Sequence, residues 1–173
     1  VTGSAQLSVS LNEGKVSTTH FESGLSSSDT YHDNLWHHYA VTCDSSTLTL
    51  YVDAEEVGTQ SVSEGIEGVS ELVIARNESG ANYFTGLLDE IRIWSTVRTA
   101  EQVSGTMNQS LEGDNFGLTH YWRINDGTGN LTTDEVGQIT GTITGATEEE
   151  VESMWSKDIP LNEFFDHWFE PES

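Results

Sequence analysis

"LWHHYAVTCDSSTLTLYVDAEEVG", Leu35–Gly58, decides how the chain folds. Two runs of β-branched, aromatic and aliphatic residues flank the turn residues Asp44–Thr47, and apolar side chains recur at every second position. Leu48, Leu50 and Val52 fall on one face of the second run. That period of two is the mark of a strand with one covered face, and the intervening turn makes the pair a hairpin. The first strand is expected over Trp36–Cys43. Adjacent strand residues point to opposite faces, so His37 and His38 on such a strand could not both face one metal ion. Neither a second cysteine nor a zinc-type His-Glu spacing accompanies them.

The same pattern extends outward in both directions. Ala5, Leu7, Val9 and Leu11 alternate with polar neighbours, "NEGK" (Asn12–Lys15) reads as a hairpin turn, and Val16–Phe21 as the returning strand. "ESGLSSSDTYHD" and residues 58–70 read as loop from composition, and "ELVIAR" as a short buried strand. "YFTGLLDEIRIW" is the longest β run, with a bulge or a bend expected at Gly86. Thr99 and Gln102 form a capping-box pair, followed by Val103, Met107 and Leu111 on one helical face. "GLTHYWRI" is a further strand, with Leu118, His120, Trp122 and Ile124 sharing a face, and "QITGTITGAT" closes the pattern. Short strands between turn signals, with one helix, predict an all-β antiparallel sandwich.

The chain has 173 residues, 29 of them acidic and 6 basic, for a formal charge of −23. This balance cannot neutralise a row of phosphates, which excludes nucleic acid, and an anionic lipid surface would repel it. With no apolar run of about 18 residues, membrane insertion is not expected. The single cysteine, Cys43, cannot form an internal disulfide.

Three stretches carry a family resemblance. "LWHHYAVTCDSSTLTLYVDAEEVG", "YFTGLLDEIRIWSTVRTAEQV" and "GLTHYWRINDGTGNLTTDEVG" with "GTITGAT" follow one another in the order seen in laminin-G-like, pentraxin-like (concanavalin A-like) jelly-roll domains. The resemblance covers roughly residues 5–147, so the expected organisation is a jelly-roll β-sandwich over 1–147 with an acidic, aromatic-containing extension over 148–173. The family's opening strands have no counterpart here, so the domain is expected to be incomplete at its N-terminus and completed by the rest of a larger polypeptide or by a neighbouring subunit. Ala54 stands where the family has glycine, which predicts a different type of hairpin turn.

The resemblance implies binding of carbohydrate or of an extracellular protein, with calcium assistance, at an extracellular or cell-surface location. One wall of the family's calcium site would correspond to "RNESGAN", making Asn77, Glu78 and Asn82 the candidate Ca2+ ligands. A solvated turn is the alternative reading there. Asp53, Asp126 and Asp134 are further acids at turns. Sugar stacking needs exposed aromatics, and Tyr31, Tyr51 and Tyr83 lie at loops or outward positions, whereas Trp36, Trp94 and Trp122 are read as core.

The same architecture hosts glycoside hydrolases, which need two carboxyl groups about 5 Å apart when they retain configuration. In the related glucanases these acids sit on one strand. Here Glu90 shares its face with Arg92 and Trp94, an ion-pair arrangement rather than a catalytic one. A non-catalytic adhesion or ligand-binding module is therefore expected. A filament or matrix subunit assembling through sheet edges is the second reading, and a glycoside hydrolase the third.

Overall fold

A computed structural model describes residues 7–20, 23–66, 71–76 and 84–144. The described residues build antiparallel sheets with one short helix, the all-β arrangement expected of a jelly roll. The chain divides into two compact units. One comprises residues 1–86 with 97–107, and the other 87–96 with 108–173.

In the first unit, strands β1 (Leu7–Asn12), β2 (Lys15–His20) and β3 (Ser23–Ser26) form one antiparallel sheet, and β4 (Tyr39–Cys43), β5 (Thr47–Val52) and β6 (Glu55–Ser61) form another. The β1–β2 turn places Glu13 at φ 50° and Gly14 at φ 79°, the paired positive values of a type I′ hairpin. A Cβ on Gly14 would lie 1.8 Å from Nδ1 of the exposed His32, whose ring would have to move, and the positive φ itself favours glycine. Along β2, the returning strand expected from Val16, Val16, Thr18 and His20 are buried while Lys15 and Thr19 are exposed. Val16, Leu50 and Val52 form the core, with Leu25, Tyr31, Tyr39, Val41 and Val57 packed against it. Each of the three contributes about 1.5–3 kcal/mol by leaving water. Strand β5 lies between two neighbours and is covered on both faces, because Thr49 and Tyr51 are buried along with Leu48, Leu50 and Val52.

The β4–β5 turn is closed by Asp44, whose Oδ1 accepts from the backbone N–H groups of Ser46 and Thr47, both at 2.6 Å. The helix α1 (Ala100–Ser104) opens with the expected capping box. Thr99 Oγ1 accepts from Gln102 N–H at 3.3 Å, and Gln102 Oε1 accepts from Thr99 N–H at 2.9 Å. It ends at Gly105 after little more than a turn, so of the expected apolar face only Val103 lies on the helix.

In the second unit, β7 (Ile91–Trp94) pairs with β8 (Leu118–Trp122), and β9 (Leu131–Thr133) with β10 (Thr140–Thr142). Leu111, Leu118 and Tyr121 are its buried cluster, with Trp94 packed against them.

Several sequence expectations change, among them the loop read over 58–70, whose first residues close strand β6 at Ser61. The first strand of the central hairpin starts at Tyr39 rather than Trp36, because Asn34 takes φ 64° and Leu35 N–H is held by Asp33, which turns the chain away from the ladder. Ser23–Ser26, read as loop, is strand β3, since pairing with β2 satisfies its backbone whatever its side chains. "ELVIAR" is not a strand, with Leu72 and Ile74 exposed and Ala75 at φ 64°. The long run before Trp94 is strand only from Ile91, because Glu90 at φ 54° breaks the extended backbone. Ile124, at φ 55°, likewise falls beyond β8.

Candidate functional site

The site grows out of the β5–β6 hairpin turn. Asp53 (φ 50°) and Ala54 (φ 66°) are both left-handed, so the turn is the type that glycine would favour, and Ala54 occupies it under strain rather than changing its class. The turn directs Asp53 back over the start of β4. Its Oδ1 accepts from His38 N–H at 2.8 Å, its own N–H donates to His38 O at 2.8 Å, and its Oδ2 lies 2.8 Å from His37 Nδ1. The other ring nitrogen, Nε2, lies 3.0 Å from Asp33 Oδ1, which also accepts from Leu35 N–H at 3.0 Å.

Three rings meet over these carboxylates. Tyr31 meets His37 edge-on at 5.1 Å and Tyr39 at 6.3 Å, and the His37 and Tyr39 rings lie 6.4 Å apart. Tyr31 is anchored from behind by its N–H to Gly14 O, 2.7 Å.

A neutral imidazole has only one N–H, so two carboxylates at hydrogen-bond distance from its two nitrogens call for the imidazolium. Burial pulls the His37 value down, but Asp53 and Asp33 outweigh it and raise it above its ordinary value. The Leu35 N–H and the His37 ring together hold Asp33 below the usual carboxylate range. Burial raises the Tyr31 and Tyr39 hydroxyls, and the neighbouring acids push in the same direction. His37 is almost covered, while Asp33 and Asp53 keep 48% and 44% of their side chains exposed. The arrangement therefore offers two fixed, half-exposed acceptors beside an aromatic edge, suited to receiving hydroxyl groups.

Among the described residues of the second unit, Glu90 and Asp134 are each engaged by several protein groups. Glu90 Oε2 accepts from both Arg92 Nη2 and the Tyr121 hydroxyl, and Oε1 accepts from Ser110 Oγ at 2.9 Å. The ion pair expected from sequence is present, and the tyrosine and serine complete it. Asp134 is fully buried, accepting from Tyr121 and Gly137 N–H at 2.9 Å and Val136 N–H at 3.1 Å, with His120 Nδ1 at 2.7 Å. It is the organiser of the turn after β9, and Gly137 must be glycine because a Cβ there would sit 2.2 Å from His120 Nδ1.

Of the sequence-derived ligand residues, Tyr31 lies in the ring cluster. Tyr51 is 8% exposed and faces protein. Tyr83 and the candidate calcium ligands Asn77, Glu78 and Asn82 lie outside the described residues. Among the described residues, no group of three or more His, Cys, Asp or Glu is arranged to hold a metal ion. Trp122 is core, as expected, while Trp36 and Trp94 are half-buried. Sequence alone does not mark His37 and Asp33 as a pair. Their four-residue spacing becomes informative only once the strand is known to begin after His38.

A laminin G family model, described as the concanavalin A-like lectin/glucanases superfamily, matches residues 1–104, which is more than half of the chain. The chain belongs to the concanavalin A-like lectin/glucanases superfamily. Among solved structures, this concanavalin A-like chain is similar to a protein of Bacteroides ovatus with a proposed role in carbohydrate binding, at 24% identity and a TM-score of 0.66. That match covers 78% of this chain and 41% of the other. A Clostridium thermocellum S-layer domain-containing protein matches at 25% identity and a TM-score of 0.33, covering 53% of this chain and 51% of that one. The chain thus spans about half or less of the solved chains it matches. A comparison with curated proteins found no match.

Proposed function

We propose that this domain is a non-catalytic carbohydrate-binding module of a larger extracellular or cell-surface protein. The observation that carries the reading is the pair of half-exposed carboxylates, Asp33 and Asp53, locked on either side of His37 beneath the Tyr31 ring. Sugar hydroxyls donate to fixed carboxylates, and an aromatic edge shelters the C–H face of a pyranose. The family includes both lectins and glucanases. The engagement of Glu90 by Arg92, Tyr121 and Ser110 favours binding over hydrolysis, because a nucleophilic or acid carboxylate needs a free oxygen facing its substrate. The proposed role of the Bacteroides ovatus protein lies in the same direction. Calcium at Asn77, Glu78 and Asn82 remains part of the proposal.

Retention on a glycan array tests this. The wild-type chain should bind at least one glycan, and Asp33→Asn with Tyr31→Ala should lose it while circular dichroism is unchanged. Retention that falls on adding chelator would bring calcium into the site. Binding unaffected by both substitutions would move the site elsewhere.

A further inference from the structure

Phe116 is the most exposed large apolar side chain among the described residues, at 87%. It does not hang from a loose loop. Asn115 Nδ2 donates to Glu112 O and Gly113 O, both at 3.3 Å, and Leu118 N–H donates to Asn115 O at 3.0 Å. On the other side Gly117, at φ 84°, is pressed against Thr96, where a Cβ would lie 2.4 Å from Oγ1. Its carbonyl accepts from both the N–H and the Oγ of Ser95, at 2.7 and 3.2 Å. The turn is therefore braced on both flanks and holds the phenyl ring in water, where burial would be favoured.

Asn115, just before that ring, and Leu118, two residues after it, line a depression of about 230 Å3, with Glu112, Arg123, Glu135 and Val136 among its other walls. Arg123 donates from Nη2 to Leu111 O at 2.9 Å and lies over the Tyr121 ring, while its buried Nε–H has no hydrogen-bond partner. The depression thus combines a guanidinium-bearing side chain with two carboxylate acceptors, one residue along the chain from the exposed phenyl ring. An anion would meet the two glutamates and the chain's overall negative charge. A purely apolar ligand would leave the guanidinium and carboxylates without partners. A neutral ring that accepts and donates through its hydroxyls, and presents a C–H face, matches every wall. The volume, smaller than the roughly 300–1,000 Å3 of pockets for drug-sized ligands, limits it to about one ring.

We propose that Phe116 and the depression walled by Asn115, Arg123 and Glu135 form a second saccharide site, taking a single neutral pyranose or the end of a glycan chain. The ring stacks on Phe116, a hydroxyl accepts from Arg123, and others donate to Glu112 and Glu135. This rests on the carbohydrate-binding reading but uses none of the residues around His37.

The test is an NMR titration of the whole chain with the methyl glycosides of glucose, galactose, mannose and N-acetylglucosamine. The proposal expects saturable shifts at the Phe116 ring, Gly117 N–H and Arg123 Nε–H with at least one of them. Phe116→Ala should weaken that response by about tenfold or more. Its unfolding midpoint should be unchanged, because the side chain is exposed. Glu135→Gln, a second surface substitution, should also weaken it. Shifts confined to Tyr31, His37 and Tyr39 would overturn this site alone. No saturable shift at either place would overturn both. If Phe116→Ala changes the sedimentation of the chain but not its response to any glycoside, the ring is a self-association contact and the proposal fails.

Discussion

Asp53, in the turn between β5 and β6, meets His37, two residues before β4 begins, through a 2.8 Å contact at Nδ1. Asp33 takes the opposite ring nitrogen at 3.0 Å, so this histidine bridges a loop and a turn only while it carries both protons.

The pH dependence follows with a definite sign. The folded value of His37 lies above its ordinary 6.5, so its stabilisation is complete below about that pH and is lost as pH rises through the folded value. A 15N titration of the ring should show both nitrogens protonated at pH 6 and a midpoint above that of a free histidine. Replacing His37 with Gln should cost about 1 kcal/mol at pH 6 and less at pH 9. A ring already neutral at pH 6 would contradict the bridge.

Asp134 should set part of the acid limit. Burial raises its carboxyl, but the Tyr121 N–H, the His120 ring and the Gly137 and Val136 N–H groups together hold it down at about 2. Its stabilisation is therefore present above the ordinary carboxylate value and lost as pH falls towards 2. Asp134→Asn keeps the shape but not the charge, and should cost about 2–3 kcal/mol by urea unfolding at pH 7, since four backbone donors lose an ionised acceptor.

Asp89 should behave in the opposite way. Its Oδ2 is buried without a partner, and burial lifts the carboxyl to about 6 despite the Glu90 N–H. The folded state then binds a proton that the unfolded chain has released, so stability declines from about pH 4 to pH 6 and the penalty is full above that. Asp89→Asn should raise stability by roughly 1 kcal/mol at pH 7.5, allowing for solvent screening at a half-exposed group, and change it little at pH 3.5. Thermal unfolding at the two pH values checks both halves of this expectation.

Ala54 is held at φ 66°, where a Cβ is penalised. Ala54→Gly should stabilise the β5–β6 hairpin by about 0.5–1 kcal/mol, because relief of left-handed strain exceeds the entropy that glycine adds to the unfolded chain. Equal or lower stability in denaturant would show that the turn is not strained.

The sequence was most informative where one local rule decides. The returning strand from Val16, the paired turn residues at Glu13–Gly14 and the Thr99–Gln102 capping box each depend on residues a few positions apart, and each is present in the structure. Strand β3 was hidden because its serines and glycine are chosen by pairing with β2 rather than by propensity. The starts of β4 and β7 are hidden because single left-handed residues, Asn34 before β4 and Glu90 before β7, end an extended run without changing its hydrophobic pattern. The later start of β4 also concealed the candidate site, since two histidines on a regular strand would point apart, whereas off the strand His37 meets Asp33 and Asp53. Phe116 carried no periodic signal, and only its surroundings mark it as displayed rather than incidental.

The central claim is that this domain holds glycans without cleaving them. The most direct measurement applies a mixed, mass-defined glycan pool to the immobilised chain and weighs what elutes after prolonged incubation. The account predicts selective retention of some glycans, recovered at their original mass, with retention lost in Asp33→Asn. Recovery of shortened glycans whose appearance requires Glu90, or retention of none of the pool, would contradict it.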